Sequence, residues 1–138
     1  MRIMAIDYGD AHTGIAISDP TGLLAGFTTV INSRRQEVVV EQVTLLDKEH
    51  GAEELVLGHP VNMDGTLGPR SEKAKAMKAL LEEATALPVV LWDERRTTID
   101  AHNILFNSGK NAKQRKKVVD AVAASLILEG YLTFKKSH

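Results

Sequence analysis

The sequence predicts an α/β fold in which a five-stranded mixed sheet carries helices on both of its faces. Three short apolar segments near the N-terminus are separated by Gly, Asp and Pro turns, which is typical of an antiparallel meander. From residue 33 onwards, segments of helical periodicity alternate with short apolar strands, and this alternation predicts parallel strands joined by helices. Because the chain has 138 residues, we expect a single domain spanning residues 1–138.

The first two-thirds of the chain are predicted to contain the meander, two helices and a fourth strand. We predict the meander strands at residues 3–8, 14–18 and 23–31, and the fourth strand at residues 55–58. Ser33 and Gln36 form a predicted capping box for the first helix, which should end at His50-Gly51. Pro88 should end the second helix. The apolar stripe of this second helix consists of Ala74, Met77, Leu80, Leu81 and Ala84.

The last third of the chain is predicted to supply one strand and two further helices. Residues 89–92 form the fifth strand. Thr97 and Asp100 resemble a capping box for a third helix, which Asn107-Ser108-Gly109 should end. Residues 110–117 are predicted to be a basic loop, and residues 118–134 the last helix.

Composition excludes several classes of protein. The chain has no cysteine, which excludes thiolate catalysis, cysteine-ligated zinc and iron–sulfur clusters. No segment reaches the length of a membrane span, about 18 apolar residues, and the N-terminus lacks a signal-peptide core, so we expect a cytoplasmic protein without a membrane partner. With 17 Lys and Arg against 18 Asp and Glu, the net charge of −1 gives no overall attraction to nucleic acid. Any such affinity must therefore come from a local cluster of basic residues.

Acidic residues follow two of the predicted strands. Asp7 ends a strand that is apolar on both faces, where an ionised carboxylate is costly to desolvate without a cation or several donors. Asp93 and Glu94 end the fifth strand, and alternation places their side chains on opposite faces, so only one can share a face with Asp7. The alternative interpretations are a turn residue at Asp7 and solvated acids at a helix start.

Asp120 is the third acidic candidate. It precedes Ala123, Ala124 and Ile127 at helical spacing, so its carboxylate is expected to point toward the sheet, although an acid favoured by the helix dipole would also explain its position near the helix start. Carboxylates from three segments that converge at strand ends suit hard cations such as Mg²⁺ or Mn²⁺. Two such ions can support phosphodiester hydrolysis.

A cluster of basic residues precedes Asp120. No acidic residue lies between Asp100 and Asp120, and five basic residues fall within eight positions: Lys110, Lys113, Arg115, Lys116 and Lys117. Beside a carboxylate site, such a cluster indicates a contact with the phosphate backbone of a nucleic acid. The alternative is a merely solvated loop.

The five histidines lack metal-ligand spacing, and we expect structural roles for them. Of these, His59 is the one that merits a test, because it precedes a long loop at the end of the fourth strand. The five are His12, His50, His59, His102 and His138.

Four motifs occur in order along the chain: Asp7-Tyr8-Gly9 with Gly14-Ile15-Ala16, Gly58-His59-Pro60 with Asn62 to Thr66, Asp93-Glu94-Arg95 with Thr97-Thr98, and Asp120-Ala121 with Ala123-Ala124 and Leu128. In these motifs the chain resembles the YqgF (RuvX) family of Holliday-junction-resolvase-like proteins, from residue 1 to about residue 133. The resemblance implies a ribonuclease H-like fold and a nuclease role in maturing the 5′ end of pre-16S rRNA.

The resemblance also implies the site residues. It selects Glu94 as the second carboxylate, so that Asp7, Glu94 and Asp120 would be the catalytic and metal-binding residues, and Arg95 joins the predicted nucleic-acid contacts. An rRNA precursor would be the partner, together with ribosomal particles. The chain departs from the family at three positions: His12 stands where a basic residue is usual, and His59 and Arg96 stand where aliphatic residues are usual.

Other functions stay open at this point. A non-catalytic RNA- or ribosome-binding factor could share the fold, and a Holliday junction resolvase would act on branched DNA. Sugar kinases and actin-like ATPases carry a similar Asp-x-Gly turn, but they need a second domain that 138 residues cannot supply. The oligomeric state is open.

Overall fold

The computed structural model of the protein describes residues 1–19, 25–60, 67–93 and 112–137. Within these ranges, no helix is long and apolar enough to cross a membrane. The strands are β1 (Ile3–Asp7), β2 (His12–Ser18), β3 (Ala25–Asn32), β4 (Glu54–His59) and β5 (Val89–Asp93). The helices are α1 (Gln36–His50), α2 (Pro69–Thr85) and α3 (Ala112–Ser137).

The five strands form one mixed sheet in the order β3-β2-β1-β4-β5. Strands β1, β2 and β3 pair antiparallel, whereas β4 pairs parallel to both β1 and β5. The predicted mixed sheet is therefore confirmed. Parallel strands end at the same side of a sheet, so Asp7, His59 and Asp93 share one end with the start of β2 and the last residue of β3. We call this the carboxyl end of the sheet.

Helices cover both faces of the sheet, as predicted. The face that packs against α1 and α2, here the α1/α2 face, buries Met4 and Ile6 of β1. The face that packs against α3, here the α3 face, buries Ile3 and Ala5 of the same strand. Strand β1 is thus apolar on both faces because it lies at the centre of the sheet, with a helix layer on each side.

Small residues and polar contacts with Glu54 hold α3 against the sheet. Ala123 and Ala124 are buried against the face that contains Ala5 and Ala16, which lets the helix backbone come close to the strands. Farther along α3, the Tyr131 hydroxyl donates a hydrogen bond to Glu54 at the start of β4. Burial and the neighbouring Glu54 carboxylate raise the pKa of Tyr131 well above its ordinary value, so this contact persists across the working pH range.

The start of α1 differs from the prediction. Arg35 is the N-cap, and no side chain caps the helix. The Ser33 hydroxyl instead accepts a hydrogen bond from the Arg35 backbone N–H at 3.1 Å, so the predicted capping box with Gln36 is wrong. A serine that bonds the backbone two residues ahead forms a local turn, and that turn competes with a helix cap. The predicted end at Gly51 is confirmed.

The apolar stripe of α2 is narrower than predicted. Ala74, Met77 and Leu81 are buried as expected, together with Ser71. Leu80 is 38% exposed and Ala84 is exposed, so both assignments to the stripe were wrong. Adjacent helix positions are 100° apart, which turns Leu80 away from the sheet when Leu81 faces it.

The basic segment is a helix rather than a loop. Helix α3 begins at Ala112, whereas we expected a loop over 110–117 and a helix only from residue 118. Ala, Lys, Gln and Arg are strong helix formers, and neither Gly nor Pro interrupts the chain from Lys110 to Glu129. Four residues of the basic segment therefore lie on α3: Lys113, Arg115, Lys116 and Lys117. Lys110 and the predicted third helix lie outside the described residues.

We expect Gly51→Ala to lower the free energy of unfolding by about 1 kcal/mol. Gly51 has φ 71° at the end of α1, and a β-carbon there would meet nothing within 4 Å, so the cost would come from the left-handed backbone alone. Gly51→Asn should cost less because Asn tolerates this conformation. Urea unfolding checks this, and an alanine variant as stable as the native protein would contradict it.

Candidate active site

Asp7 is a half-buried carboxylate at the carboxyl end of the sheet. It follows Ile3 and Ala5 by alternation, so its side chain belongs to the α3 face. Its antiparallel partner on β2 is Gly14, which contributes no side chain at that position. The central strand therefore ends in a negative charge whose direct cross-strand partner carries no side chain.

The turn between β1 and β2 requires glycine at position 9. A β-carbon on Gly9 would lie 2.4 Å from the backbone carbonyl oxygen of His12. The Ser33 backbone N–H also donates to the Ala11 carbonyl oxygen at 3.0 Å, which ties this turn to the end of β3. The close approach of these backbone segments holds Asp7 and the start of β2 in one arrangement.

Asp93 lies on the opposite face from Asp7. Val89 and Leu91 of β5 pack in the α1/α2 core, and Val90 and Trp92 pack with α3. Alternation therefore assigns Asp93 to the α1/α2 face. Glu94, the predicted second carboxylate, and its neighbour Arg95 lie outside the described residues.

Asp120 occupies a position on α3 that continues the buried stripe of the helix. Ala123, Ala124 and Ile127 follow it at helical spacing and are buried on the α3 face, the face of Asp7. The Asp120 side chain lies outside the described residues. Where side chains are described, no group of three or more His, Cys, Asp or Glu residues could hold a metal ion. Convergence of Asp7, Glu94 and Asp120 therefore stays a prediction.

The lysines at the start of α3 occupy the same helical stripe as Asp120. Lys117, Lys116 and Lys113 precede it by three, four and seven residues, the spacing of neighbours on one side of a helix. Arg115 lies toward a different side of the helix at this spacing. The positions of three lysines thus line up with Asp120, the predicted catalytic acid. A flexible loop would not have fixed this alignment.

His59 has a contact that is remote from the face of Asp7. Its Nε2 is 2.6 Å from the Oγ of Ser71, a fully buried residue in the first turn of α2. Because Leu55 and Leu57 face α1 and α2, alternation puts His59 on that face as well. The contact fastens β4 to α2, in agreement with the structural role expected for this residue.

His12 is the residue that sequence reasoning missed. It opens β2 two residues before Gly14 and so belongs to the α3 face, which is also the face of Asp7. Its Nδ1 lies 2.7 Å from the Oδ1 of Asn32. The sequence contains a signal for this placement, because alternation along the strand predicted at residues 14–18 extends back to His12.

The order of the strands, the antiparallel β1–β3 unit and the acid at the end of β1 define a ribonuclease H-like fold. The same fold occurs in T. thermophilus RuvC in complex with a Holliday junction substrate, with a TM-score of 0.65 at 14% sequence identity. That match covers 99% of this chain and 96% of the RuvC chain.

Sequence comparison assigns the family. The family model described as "RuvX: Holliday junction resolvase" matches residues 1–134. A Halothermothrix orenii protein named "Putative pre-16S rRNA nuclease" is 43% identical, covering 98% of this chain and 96% of that protein. A Clostridium botulinum protein of the same name is 42% identical, with 96% of each chain covered. The chain belongs to the RuvX family.

Gly9→Ala should lower the free energy of unfolding by about 1–3 kcal/mol, because its β-carbon must displace backbone rather than a flexible side chain. Thermal or urea unfolding measures the loss. A matched control is Gly130→Ala, whose β-carbon would meet only the Trp92 ring, at 3.3 Å, and should cost less. Equal effects at the two positions would show that the turn can relax.

Proposed function

We propose that this protein is a metal-dependent nuclease that hydrolyses phosphodiester bonds during maturation of the 5′ end of pre-16S rRNA. The observation that carries the proposal is Asp7, a half-buried carboxylate at the end of the central strand, on the same face as the helix that contains Asp120. Membership of the RuvX family and the names of relatives at 43% and 42% identity support it.

The substrate part of the proposal follows the relatives. Proteins that share more than two-fifths of their residues with this chain carry the name of an rRNA precursor nuclease, whereas the Holliday junction complex supports only the fold. Branched DNA is therefore the second candidate substrate, favoured by the description of the family model. A non-catalytic RNA-binding factor is the third candidate.

The donor chemistry of the site fits a hard divalent cation. Asp7 offers carboxylate oxygens, and Glu94 and Asp120 would complete an all-oxygen set, which Mg²⁺ and Mn²⁺ prefer over softer metals. When bound, such ions supply an activated water and stabilise the departing oxygen of a phosphodiester. The residues of this chain would hold the carboxylates in place through the paired strands β1 and β2 and the close seat of α3.

The lysines of α3 would position the strand to be cut. Lys113, Lys116 and Lys117 share the stripe of Asp120, so phosphates held by them would lie in line with the predicted catalytic acid. Further contacts with the phosphate backbone, beside the stripe of Asp120, would come from Lys110, Arg115 and Arg95. Such contacts position a strand without reading its sequence.

The remaining expectations belong with this proposal. Residues 1–138 would act as a single nuclease domain in the cytoplasm. Ribosomal particles that contain the precursor rRNA would be the larger partner.

We expect Asp7→Asn and Asp120→Asn to abolish cleavage of an rRNA precursor in Mg²⁺ or Mn²⁺ while preserving the fold. Each change removes one charge at nearly constant shape, and relief of repulsion between carboxylates should leave the protein without metal at least as stable. A cleavage assay and a thermal unfolding scan measure the two effects.

Asp93→Asn is the matched control, because Asp93 also ends a strand at the carboxyl end but belongs to the α1/α2 face. It should retain cleavage, and Glu94→Gln should lose it. The reverse outcome would make Asp93 the second carboxylate. Full cleavage in EDTA would refute the metal-dependent mechanism, and tight RNA binding with no cleavage by the native protein would favour the non-catalytic factor.

Neutralising the α3 lysines should weaken binding of all sequences alike. For Lys113→Ala/Lys116→Ala/Lys117→Ala, each lost phosphate contact should flatten the plot of log affinity against log salt by about 0.7 on single strands or 0.9 on duplex. Cleavage at saturating substrate should survive, since these contacts position the strand. Binding across a salt series measures the slope.

The control variant, Lys48→Ala/Lys75→Ala/Lys78→Ala, removes the same charge from α1 and α2, on the other side of the sheet. It should leave the slope unchanged. Equal slopes for the α3 variant and the native protein would mean that the basic segment is only a solvated helix surface.

A further inference from the structure

His12 and Asn32 form a polar pair beside the candidate active site. The two residues are direct partners in the β2–β3 ladder, and His12 Nδ1 lies 2.7 Å from Asn32 Oδ1. Ile15 and Ile31 of these strands face α1 and α2, so alternation puts both members of the pair on the α3 face. This is the face of Asp7.

The pair is also close to Asp7 along the sheet. Asp7 pairs with Gly14, and His12 is two residues before Gly14, which makes it a diagonal neighbour at about 7–8 Å in an antiparallel ladder. Gly14 places no side chain between them. A nucleic-acid strand whose phosphate reaches Asp7 would therefore have its adjoining sugar within reach of the His12 ring.

The hydrogen bond between His12 and Asn32 determines which ring nitrogen of His12 is a donor and which is an acceptor. The Asn32 Oδ1 atom can only accept, so His12 Nδ1 donates and carries the ring proton. In the neutral ring this leaves Nε2 as a hydrogen-bond acceptor. The bond to the Asn32 amide oxygen also fixes the orientation of the ring.

An acceptor at this place suits a donor on the sugar of a nucleic-acid strand rather than its phosphate. Phosphate oxygens are acceptors themselves and would not pair with Nε2. The ribose 2′-hydroxyl can donate, and it is the group by which a protein distinguishes RNA from DNA at a given site.

We propose that His12 Nε2 accepts a hydrogen bond from a ribose 2′-hydroxyl next to the phosphate held at the candidate active site, and that this contact makes the site selective for RNA. The inference rests on the proposed nuclease function and deepens it, because it assigns the substrate class to a specific side chain. Asn32 acts as a positioning residue that holds the ring.

The test compares RNA and DNA oligonucleotides of matched sequence in the Asp120→Asn background, where Asp7 is intact and binding is measured without cleavage. His12→Ala should weaken RNA binding about three- to tenfold, the value of one hydrogen bond, and change DNA binding less than twofold. Asn32→Ala should weaken RNA binding in the same direction by a smaller factor. A single 2′-deoxy substitution beside the cleavage site should reproduce the loss in the native protein and add nothing to His12→Ala.

Two further variants separate this contact from other roles of the residue. His12→Arg replaces the acceptor with donors, so it should lose the preference for RNA while adding a contact for phosphate. His50→Ala changes a histidine at the end of α1, at the opposite end of the sheet, and should leave both affinities unchanged. Unfolding midpoints of all variants check that the fold is retained.

Equal losses on RNA and DNA after His12→Ala would overturn the inference. So would an arginine variant that binds both strands as tightly as the native protein, which would identify a phosphate contact. If native protein cleaves RNA but its RNA preference does not depend on His12, the inference fails and the nuclease function stands. If the native protein neither binds nor cleaves nucleic acid, the proposed function fails and the inference fails with it.

Discussion

The burial of β1 on both faces is the constraint on which the rest of the structure depends. A strand in the centre of the sheet must be apolar on each side, and its side chains need a helix layer above and below. That arrangement makes the carboxylate of Asp7 expensive at the strand end unless a cation or donors meet it, since an ion loses much of its hydration there. The apolar core thus fixes the position of the Asp7 charge, which turn propensity alone does not explain. That position is the basis for interpreting Asp7 as a catalytic residue.

Alternation along the strands then divides the carboxyl end of the sheet into two chemically distinct sides. Asp7, His12 and Asn32 lie on the α3 face, whereas His59 and Asp93 lie on the α1/α2 face. The second side is used to fasten β4 to α2 through Ser71. The first side is left with an acid, an oriented imidazole and a neighbouring glycine.

Helix α3 connects the predicted substrate contacts to the core in one continuous element. Its alanines lie close to β1 and β2. At the opposite end of the sheet, Tyr131 anchors the helix to Glu54. Because the lysines and Asp120 belong to the same helix, their spacing is set by helix geometry rather than by loop conformation. The predicted phosphate contacts would thus be held in register with the acid next to them, which would reduce the ordering cost of binding a strand.

The sequence by itself determined the mixed sheet, the two helix layers, the end of α1 at Gly51 and the acidic candidates, because hydrophobic period, turn residues and unexplained charges are local signals. It did not determine the start of α1, where Ser33 made a turn instead of a cap, nor the extent of α3, whose lysines were read as a loop although their helix propensity is high. Only the tertiary structure decided that His12 shares a face with Asp7 and that His59 does not. Strand register is a relation between segments distant in sequence, and a shift of one residue exchanges the two faces, so no single segment contains that information.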